Sequence, residues 1–316
     1  MSPTRRTFLA GAVLTALTGC GSPAPGPDRT EVDRTGVDRT AHPALRRPGR
    51  AGAVAFLRTG AAGPLRELRG EPDVLVGLGA RLSPTTPGLT AMPPFPGEVL
   101  LPERANTDAF LQVEGDDEAA CADRLTELCD ALPDVEVTWR TPVRRDTVDD
   151  ALQRNPFGFV EGQTNDRSIL LPTGEALLAV RVIRLAHRLW DHDTGERQSR
   201  IVGRRPDGTW LDGTPPHEVP DLAADPTGAV IPLDSHVRAM NPRTPGAPSP
   251  RMLRRSWSYQ APPTPQGTPD EGVLFMAFQD DYATGFALAQ SRMPADALAP
   301  YLLAVGGGYF AVPSPG

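Results

Sequence analysis

The strongest constraint on the fold is the order of strand and helix patterns between residues 52 and 140. Four short apolar segments rich in β-branched residues predict strands, and two segments with apolar residues at helical spacing predict helices. The predicted strands cover residues 52–58, 74–82, 109–114 and 135–140, and the predicted helices cover residues 64–68 and 118–132. This βαββαβ order indicates a ferredoxin-like α+β layer.

The second half of the chain repeats this theme less regularly. The predicted strands cover residues 176–184, 273–279 and 309–312, and the predicted helices cover residues 194–202, 283–289 and 295–303. Gly203 directly follows the first of these helices and is a typical stop signal. We therefore expect an α+β protein of two ferredoxin-like layers, with a first domain at residues 51–148 and a second at residues 149–316.

The amino terminus has the pattern of an export signal. Arg5 and Arg6 precede a short apolar run that ends in Leu-Thr-Gly-Cys at Cys20. The arginine pair resembles a twin-arginine signal, and the tetrapeptide resembles a bacterial lipobox. We expect a signal peptide at residues 1–19, lipidation of Cys20, and a lipoprotein on the outer face of the cell membrane. A plain signal peptide cleaved slightly later, giving a secreted protein, is the alternative.

Residues 20–50 contain almost no large apolar side chains and repeat Asp-Arg-Thr at positions 28, 33 and 38. This composition predicts a disordered tether, which would include His42.

Charge and cysteine usage exclude several functions. All 32 basic residues are arginine, so the chain has no lysine for a Schiff base or a P-loop, and the net charge of −7 argues against a nucleic-acid partner.

Cys121 and Cys129 lie eight residues apart on a predicted helix. Their Cα atoms would be ~12 Å apart, beyond the ~7 Å limit of a disulfide, so we expect both thiols to be core residues.

Histidines at two places in the chain are candidate metal ligands. His187 and His192 lie beside Asp191 and Asp193, which could form a metal site, although scattered surface residues at a helix start are commoner. His236 lies alone in a polar turn, where a histidine is more often structural than a ligand. The motifs around His236 change that expectation.

Three motifs resemble the signatures of one family. Residues 158–162 read GFVEG, His236 is followed by Asn-Pro-Arg at residues 241–243, and Arg254 follows His236 by eighteen residues in the LRRSWSY sequence at residues 253–259. In type, order and spacing, these motifs resemble those of the dye-decolorising (DyP-type) peroxidase family.

The resemblance extends over roughly residues 90–316 and, more weakly, over residues 50–90. It implies that the two ferredoxin-like layers form one dimeric α+β barrel-like core. It also implies haem b as the cofactor, hydrogen peroxide as the oxidant, and a bulky organic or iron-linked reductant. Family members often assemble, so a homo-oligomer is possible.

The resemblance further implies a role for each motif. His236 would be the axial ligand of the haem iron, Glu161 would shuttle the peroxide proton, and Arg254 would stabilise developing charge. A carboxylate on the second ring nitrogen of His236 is expected at Asp281, with Asp280 as the alternative. The expected haem contacts, with Arg243 at a propionate, are Gly162, Gln163, Thr164, Asn241, Pro242, Arg243 and Arg254.

Glu161 departs from the family pattern, which has an aspartate at this position. The extra methylene shifts the acid, so haem binding is better indicated than fast peroxide turnover. A second hypothesis is therefore a haem-binding, deferrochelatase-like lipoprotein of iron or haem uptake with weak peroxidase activity. A third is a structural lipoprotein without haem. Trp257 is the candidate relay for electrons from substrates at the surface.

Overall fold

The structure is a computed structural model that describes residues 42–149, 151–162 and 167–315. The predicted signal peptide, Cys20, Gln163 and Thr164 lie outside the described residues. Within the described part of the chain, the helices are too short or too polar to cross a membrane.

The first half has the predicted βαββαβ order. Its elements are β1 (Ala51–Thr59), α1 (Gly63–Glu67), β2 (Val74–Leu78), β3 (Ala109–Gly115), α2 (Glu118–Ala131) and β4 (Val135–Arg144). Helix α2 begins after Asp117, whose side chain accepts a hydrogen bond from the amide of Ala120 and so satisfies one free N–H of the first turn.

A small sheet connects the two halves, and the second half then repeats the order with additional helices. The small sheet consists of β5 (Asp146–Thr147), β6 (Leu152–Arg154) and β7 (Val160–Gly162). The elements of the second half are β8 (Ala176–Leu185), α3 (His187–Trp190), α4 (Gly195–Val202), α5 (His236–Met240), β9 (Leu253–Ala261), β10 (Asp270–Gln279), α6 (Phe286–Gln290) and β11 (Leu302–Val312).

The two halves close one eight-stranded barrel in the order β1-β3-β2-β11-β8-β10-β9-β4. The seams between the halves are short: β2 and β11 pair at Leu78 and Ala311, and β4 and β9 pair at Val143 and Arg144. The predicted fold of two ferredoxin-like layers in a barrel-like core is confirmed. The predicted division at residues 148 and 149 falls between β5 and β6, outside the barrel.

Two elements of the second half differ from the sequence prediction. The helix predicted at residues 295–303 is wrong, because the chain instead makes short 3-10 turns at Met293–Ala295 and Ala299–Tyr301 and enters β11 at Leu302. Pro300 lies inside the predicted helix, where its missing N–H and its ring oppose helical bonding. The LRRSWSY motif was not predicted as an element, and it forms most of β9.

The tether prediction is wrong for its last residues. His42 is buried, its Nε2 lies 3.3 Å from the carbonyl of Val312, and burial lowers the pKa of the imidazole to about 4. Ala44 lies in the barrel core, and Arg255 donates to the carbonyls of Ala44 and Arg46. Residues 42–50 therefore lead into β1 as part of the fold.

The outer faces of the two halves are covered differently. In the first half, α2 packs directly on the sheet through Cys121, Leu125 and Cys129. Both thiols are free and buried, as predicted, and burial raises the pKa of each to about 11. In the second half, a cavity lies between the sheet and helices α4, α5 and α6.

Candidate functional site

The cavity of the second half has a volume of about 480 Å³, within the range of small-molecule sites. Alternate residues of β8, β9 and β10 form its sheet wall because successive side chains of a strand point to opposite faces. Phe275, for example, lies between Ser256 and Arg181 in the ladder, and all three line the cavity.

His236 reaches the cavity from the first turn of α5. Its Nδ1 lies 2.7 Å from Oδ2 of Asp296, a side chain with 0% exposure, whereas the His236 side chain is 34% exposed. Burial alone would lower the pKa of His236, but the Asp296 carboxylate outweighs burial and raises it. When Nδ1–H donates its hydrogen bond to the carboxylate, Nε2 is the ring nitrogen with a lone pair for a ligand.

Asp296 corrects the sequence prediction. Asp281, expected beside His236, instead accepts hydrogen bonds from the amide of Ala283 and the hydroxyl of Thr284. The alternative, Asp280, forms an ion pair with Arg251. Both carboxylates therefore bond to groups other than the imidazole.

The turn around Asp296 lies beside His236 because backbone bonds join the two segments. The amide of Ala297 donates to the carbonyl of Asp234 at 2.8 Å, and the other carboxylate oxygen of Asp296 accepts from the amide of Leu298. The sequence contained no local signal for this contact, which brings together segments sixty residues apart.

Glu161 lies in β7, next to the turn that follows β6. The turn needs Gly158, whose φ of 89° is unfavourable for residues with a side chain. Oε1 of Glu161 accepts a hydrogen bond of 2.6 Å from Nδ2 of Asn155, and both residues line the cavity. The carboxylate is close enough to act electrostatically on His236 and Arg254.

Three of the arginines that line the cavity, Arg204, Arg243 and Arg254, influence one another electrostatically. Burial lowers the pKa of Arg254, and Glu161 partly offsets this effect. Burial together with neighbouring guanidiniums lowers the pKa of Arg243 and of Arg204 to about 10 each. A cluster of buried cations that repel one another favours an anionic ligand.

Arg204 and Trp210 were not predicted from the sequence to line the site. The guanidinium of Arg204 lies 3.7 Å from the ring centroid of buried Trp210, and Arg243 lies over the same ring at 5.5 Å. Arg204 and Trp210 form an isolated β-bridge that positions them in the cavity wall. Their only sequence signal was the arginine-rich, glycine-punctuated stretch after α4.

The remaining predicted residues have different locations. Asn241 lines the cavity beside Arg243, and its Oδ1 accepts from the hydroxyl of Ser249. Pro242 lies between Asn241 and Arg243 in the chain but does not line the cavity. Gly162 is the last residue of β7. Trp257 is buried in the barrel core and reaches the cavity wall.

The metal-site alternative at His187 and His192 has no support in the described part of the chain, which contains no cluster of three metal-ligating side chains. His187 instead packs against Phe157, and Asp193 forms an ion pair with Arg197.

The donor set of the cavity fits haem. An imidazole with Nε2 available can ligate iron, the guanidiniums match the negative charge of propionates, and Phe275, Phe286 and Met252 provide apolar walls for a porphyrin.

A family model described as "Dyp-type peroxidase, C-terminal" matches residues 152–315, slightly more than half of the chain. This range includes the cavity residues Glu161, His236 and Arg254, and Asp296, which bonds to His236.

Curated relatives and solved structures agree with this match. The chain is 33% identical to the deferrochelatases of Escherichia coli K12 and Shigella sonnei over 72% of its length, which spans 60% of those relatives. It is 27% identical to a DyP-type peroxidase structure from Cellulomonas bogoriensis, with a TM-score of 0.74 over 86% of this chain and 91% of that one. An oxyferrous complex of DtpA from Streptomyces lividans is 25% identical, with a TM-score of 0.74 over 87% and 93%.

Proposed function

The chain belongs to the DyP-type peroxidase family, and from this premise we propose that it is a haem b peroxidase. It would reduce hydrogen peroxide and oxidise a bulky organic or iron-linked reductant. The observation that carries the proposal is the meeting of His236, held by Asp296, with Glu161 and Arg254 at one cavity.

Different side chains of the site would bind the haem and transfer the proton. His236 would bind iron through Nε2, while Asp296 holds Nδ1–H and increases the basicity of the ring. Arg243 and Arg204 would bind the propionates. Bound haem would supply the iron at which peroxide is cleaved and would carry oxidising equivalents to the reductant.

Glu161 and Arg254 would act on the peroxide itself. The Glu161 carboxylate would take a proton from one peroxide oxygen and return it to the leaving oxygen, and the Arg254 guanidinium would stabilise the charge that develops.

Haem loading followed by peroxide addition tests this proposal. We expect the wild-type chain to bind one haemin with a Soret band and to oxidise a dye with peroxide, and we expect His236→Ala to weaken haemin binding. His192→Ala is the control, because His192 is an exposed residue outside the cavity. Unchanged haemin binding by His236→Ala would refute the proposal.

A second candidate is haem binding for iron or haem uptake, with weak peroxidase activity. It is favoured by the relatives named deferrochelatase and by the longer acid, Glu161. Measuring free iron and porphyrin released from haem distinguishes the two functions. A Glu161→Asp variant with a large gain in peroxide reactivity would favour uptake, because it would reveal a site tuned away from peroxide turnover.

We also propose that the protein is exported by the twin-arginine route and anchored through Cys20. The support is the sequence of residues 1–20 alone. Palmitate labelling of the wild type and of Cys20→Ser tests the anchor, and labelling of both proteins alike would exclude it. A homo-oligomer remains a prediction for sedimentation analysis.

A further inference from the structure

Asn155 spans the turn between β6 and β7 and contacts Glu161, but the peroxidase signatures assign it no task. Its Oδ1 accepts hydrogen bonds from the amides of Phe157 at 3.0 Å and Phe159 at 3.1 Å. Its backbone adds two bonds within the same turn, donating to the carbonyl of Phe159 and accepting from the amide of Gly158. Both the side-chain oxygen and the backbone of Asn155 are therefore bonded within the turn.

These contacts determine which way the amide faces. Only an oxygen can accept from two backbone N–H groups, so the atom pointing at Glu161 must be the NH₂ group. The resulting N–H···O bond to Oε1 is short, at 2.6 Å, and hydrogen bonds to an ionised acceptor are shorter than neutral ones.

The turn itself is anchored, so it can hold the amide in place. Phe159 is buried against Trp190, and Arg154 donates to the carbonyl of Gly158 at 2.8 Å. The amide of Val160 donates to the carbonyl of Pro206. The Arg154 bond closes the turn, and the contacts of Phe159 and Val160 connect its second end to the rest of the protein.

A glutamate needs such an anchor more than an aspartate would. Its side chain has one more rotatable bond, so the carboxylate can occupy more positions when nothing holds it. A shift of ~1 Å in a reacting group can reduce a rate ~100-fold. The Asn155 bond removes this freedom at one carboxylate oxygen.

We propose that Asn155 is a positioning residue that holds the longer Glu161 side chain in the geometry needed for proton transfer. This inference rests on the proposed acid–base role of Glu161. It identifies Asn155 and Glu161 as a functional pair in which the amide compensates for the additional methylene.

Asn155→Asp separates the two tasks of the amide. An aspartate can keep both backbone bonds of the turn through one oxygen, but it presents a second oxygen to Glu161 in place of the N–H donor. We expect the haem-loaded variant to react with peroxide ~10- to 100-fold more slowly. Its cyanide association rate, read from the Soret band, should fall similarly, because HCN must release a proton on binding. The haemin affinity should be unchanged, whereas the urea midpoint of the apoprotein should fall, because the two facing carboxylates repel each other.

Asn155→Ser provides a second variant if the aspartate disturbs folding. Its hydroxyl can still accept from the turn but is too short to reach Glu161, so both rates should fall as well. Gln260→Glu is the matched control, because the exposed Gln260 amide also donates to a carboxylate, that of Glu271, outside the cavity. This control should react like the wild type.

The double variant Asn155→Asp, Glu161→Gln decides between positioning and a general structural role. We expect Asn155→Asp to change neither rate by more than about twofold when Glu161→Gln is already present. An equal loss in both backgrounds, or single Asn155 variants as fast as the wild type while Glu161→Gln is slow, would overturn the inference alone. Unchanged rates in Glu161→Gln would overturn the proposed acid–base function together with it.

Discussion

At the residue scale, the site depends on how Asp296 holds the His236 imidazole. The carboxylate is fully buried and also accepts a backbone bond from Leu298, so it cannot turn away from the ring. A histidine held in this way presents one ring nitrogen in one orientation, which favours metal ligation.

Replacing Asp296 by asparagine should weaken haem binding. The asparagine side chain has the same shape but lacks the charge that favours the Nδ1–H tautomer, so we expect haemin affinity to fall ~10- to 100-fold. Titration of the apoprotein with haemin, followed at the Soret band, measures the loss. Asp281→Asn is the matched control, because Asp281 was the expected partner but caps a surface loop. Equal affinities of the two variants would contradict the assignment.

Sequence reasoning identified the reactive groups but not their supports. Glu161, His236 and Arg254 stand in motifs with fixed spacing and line one cavity. Asp281 and Asp296 are both aspartates near turns of the same half, and no local pattern separates them. The choice depends on the backbone bond between Ala297 and Asp234, a contact between distant segments.

At the element scale, the connection from α4 to α5 positions the proposed iron ligand. Gly203 ends α4 with a φ of 90°, as its place after the predicted helix suggested. A Cβ on Gly203 would lie 2.4 Å from Cγ2 of Val237 and 2.8 Å from Oγ of Ser235, the two neighbours of His236. The residue that ends α4 therefore packs directly against both neighbours of the proposed iron ligand.

Gly203→Ala should disturb both stability and haem binding. The left-handed conformation costs a residue with a Cβ about 1–2 kcal/mol, and the clash adds to this cost by displacing α5. Gly213→Ala is the control, because Gly213 has a φ of 93° but no atom within 4 Å of the added Cβ. Urea unfolding should show a loss of stability in both variants, whereas haemin affinity should fall only in Gly203→Ala. A similar haemin affinity in both would refute the coupling.

The long elements of the first half could be predicted because their apolar residues recur with the period of a strand or of a helix. Strand β9 was missed because it carries arginines, serines and aromatic residues instead of an apolar run, although its residues alternate in burial. The helix predicted at residues 295–303 failed because Pro300 opposes helical bonding, and its last two residues, Leu302 and Leu303, pair with β8 instead.

At the scale of the whole molecule, buried ion pairs join the two halves where backbone pairing is sparse. Arg104, which precedes β3, contacts Asp270 of β10 at 2.8 Å, and Arg184 contacts the other oxygen of Asp270 at 3.3 Å. A second pair, Arg255 and Glu114, connects β9 to β3 at 2.9 Å. Together they connect the halves inside one barrel.

Asp270→Asn should destabilise the whole barrel by about 3–5 kcal/mol, because Arg104 would remain buried without its counter-charge. Glu71→Gln is the control, because the Glu71–Arg124 pair is partly exposed and should contribute less than about 1 kcal/mol. Unfolding by urea, followed by tryptophan fluorescence and far-UV circular dichroism, should give one coincident transition for each variant. Separate transitions for the two halves would contradict a shared barrel.

The sequence by itself determined the α+β class, the ferredoxin-like order of the first half, the buried unpaired thiols and the motifs with Glu161, His236 and Arg254. These features depend on local periodicity, turn chemistry and the identity of reactive groups, which can be read along the chain. The tertiary structure decided that Asp296 holds His236, that Arg204 and Trp210 line the cavity, that β9 completes the barrel, and that residues 42–50 belong to the fold. These features are contacts between distant segments, and local propensity does not encode which of several similar residues will meet.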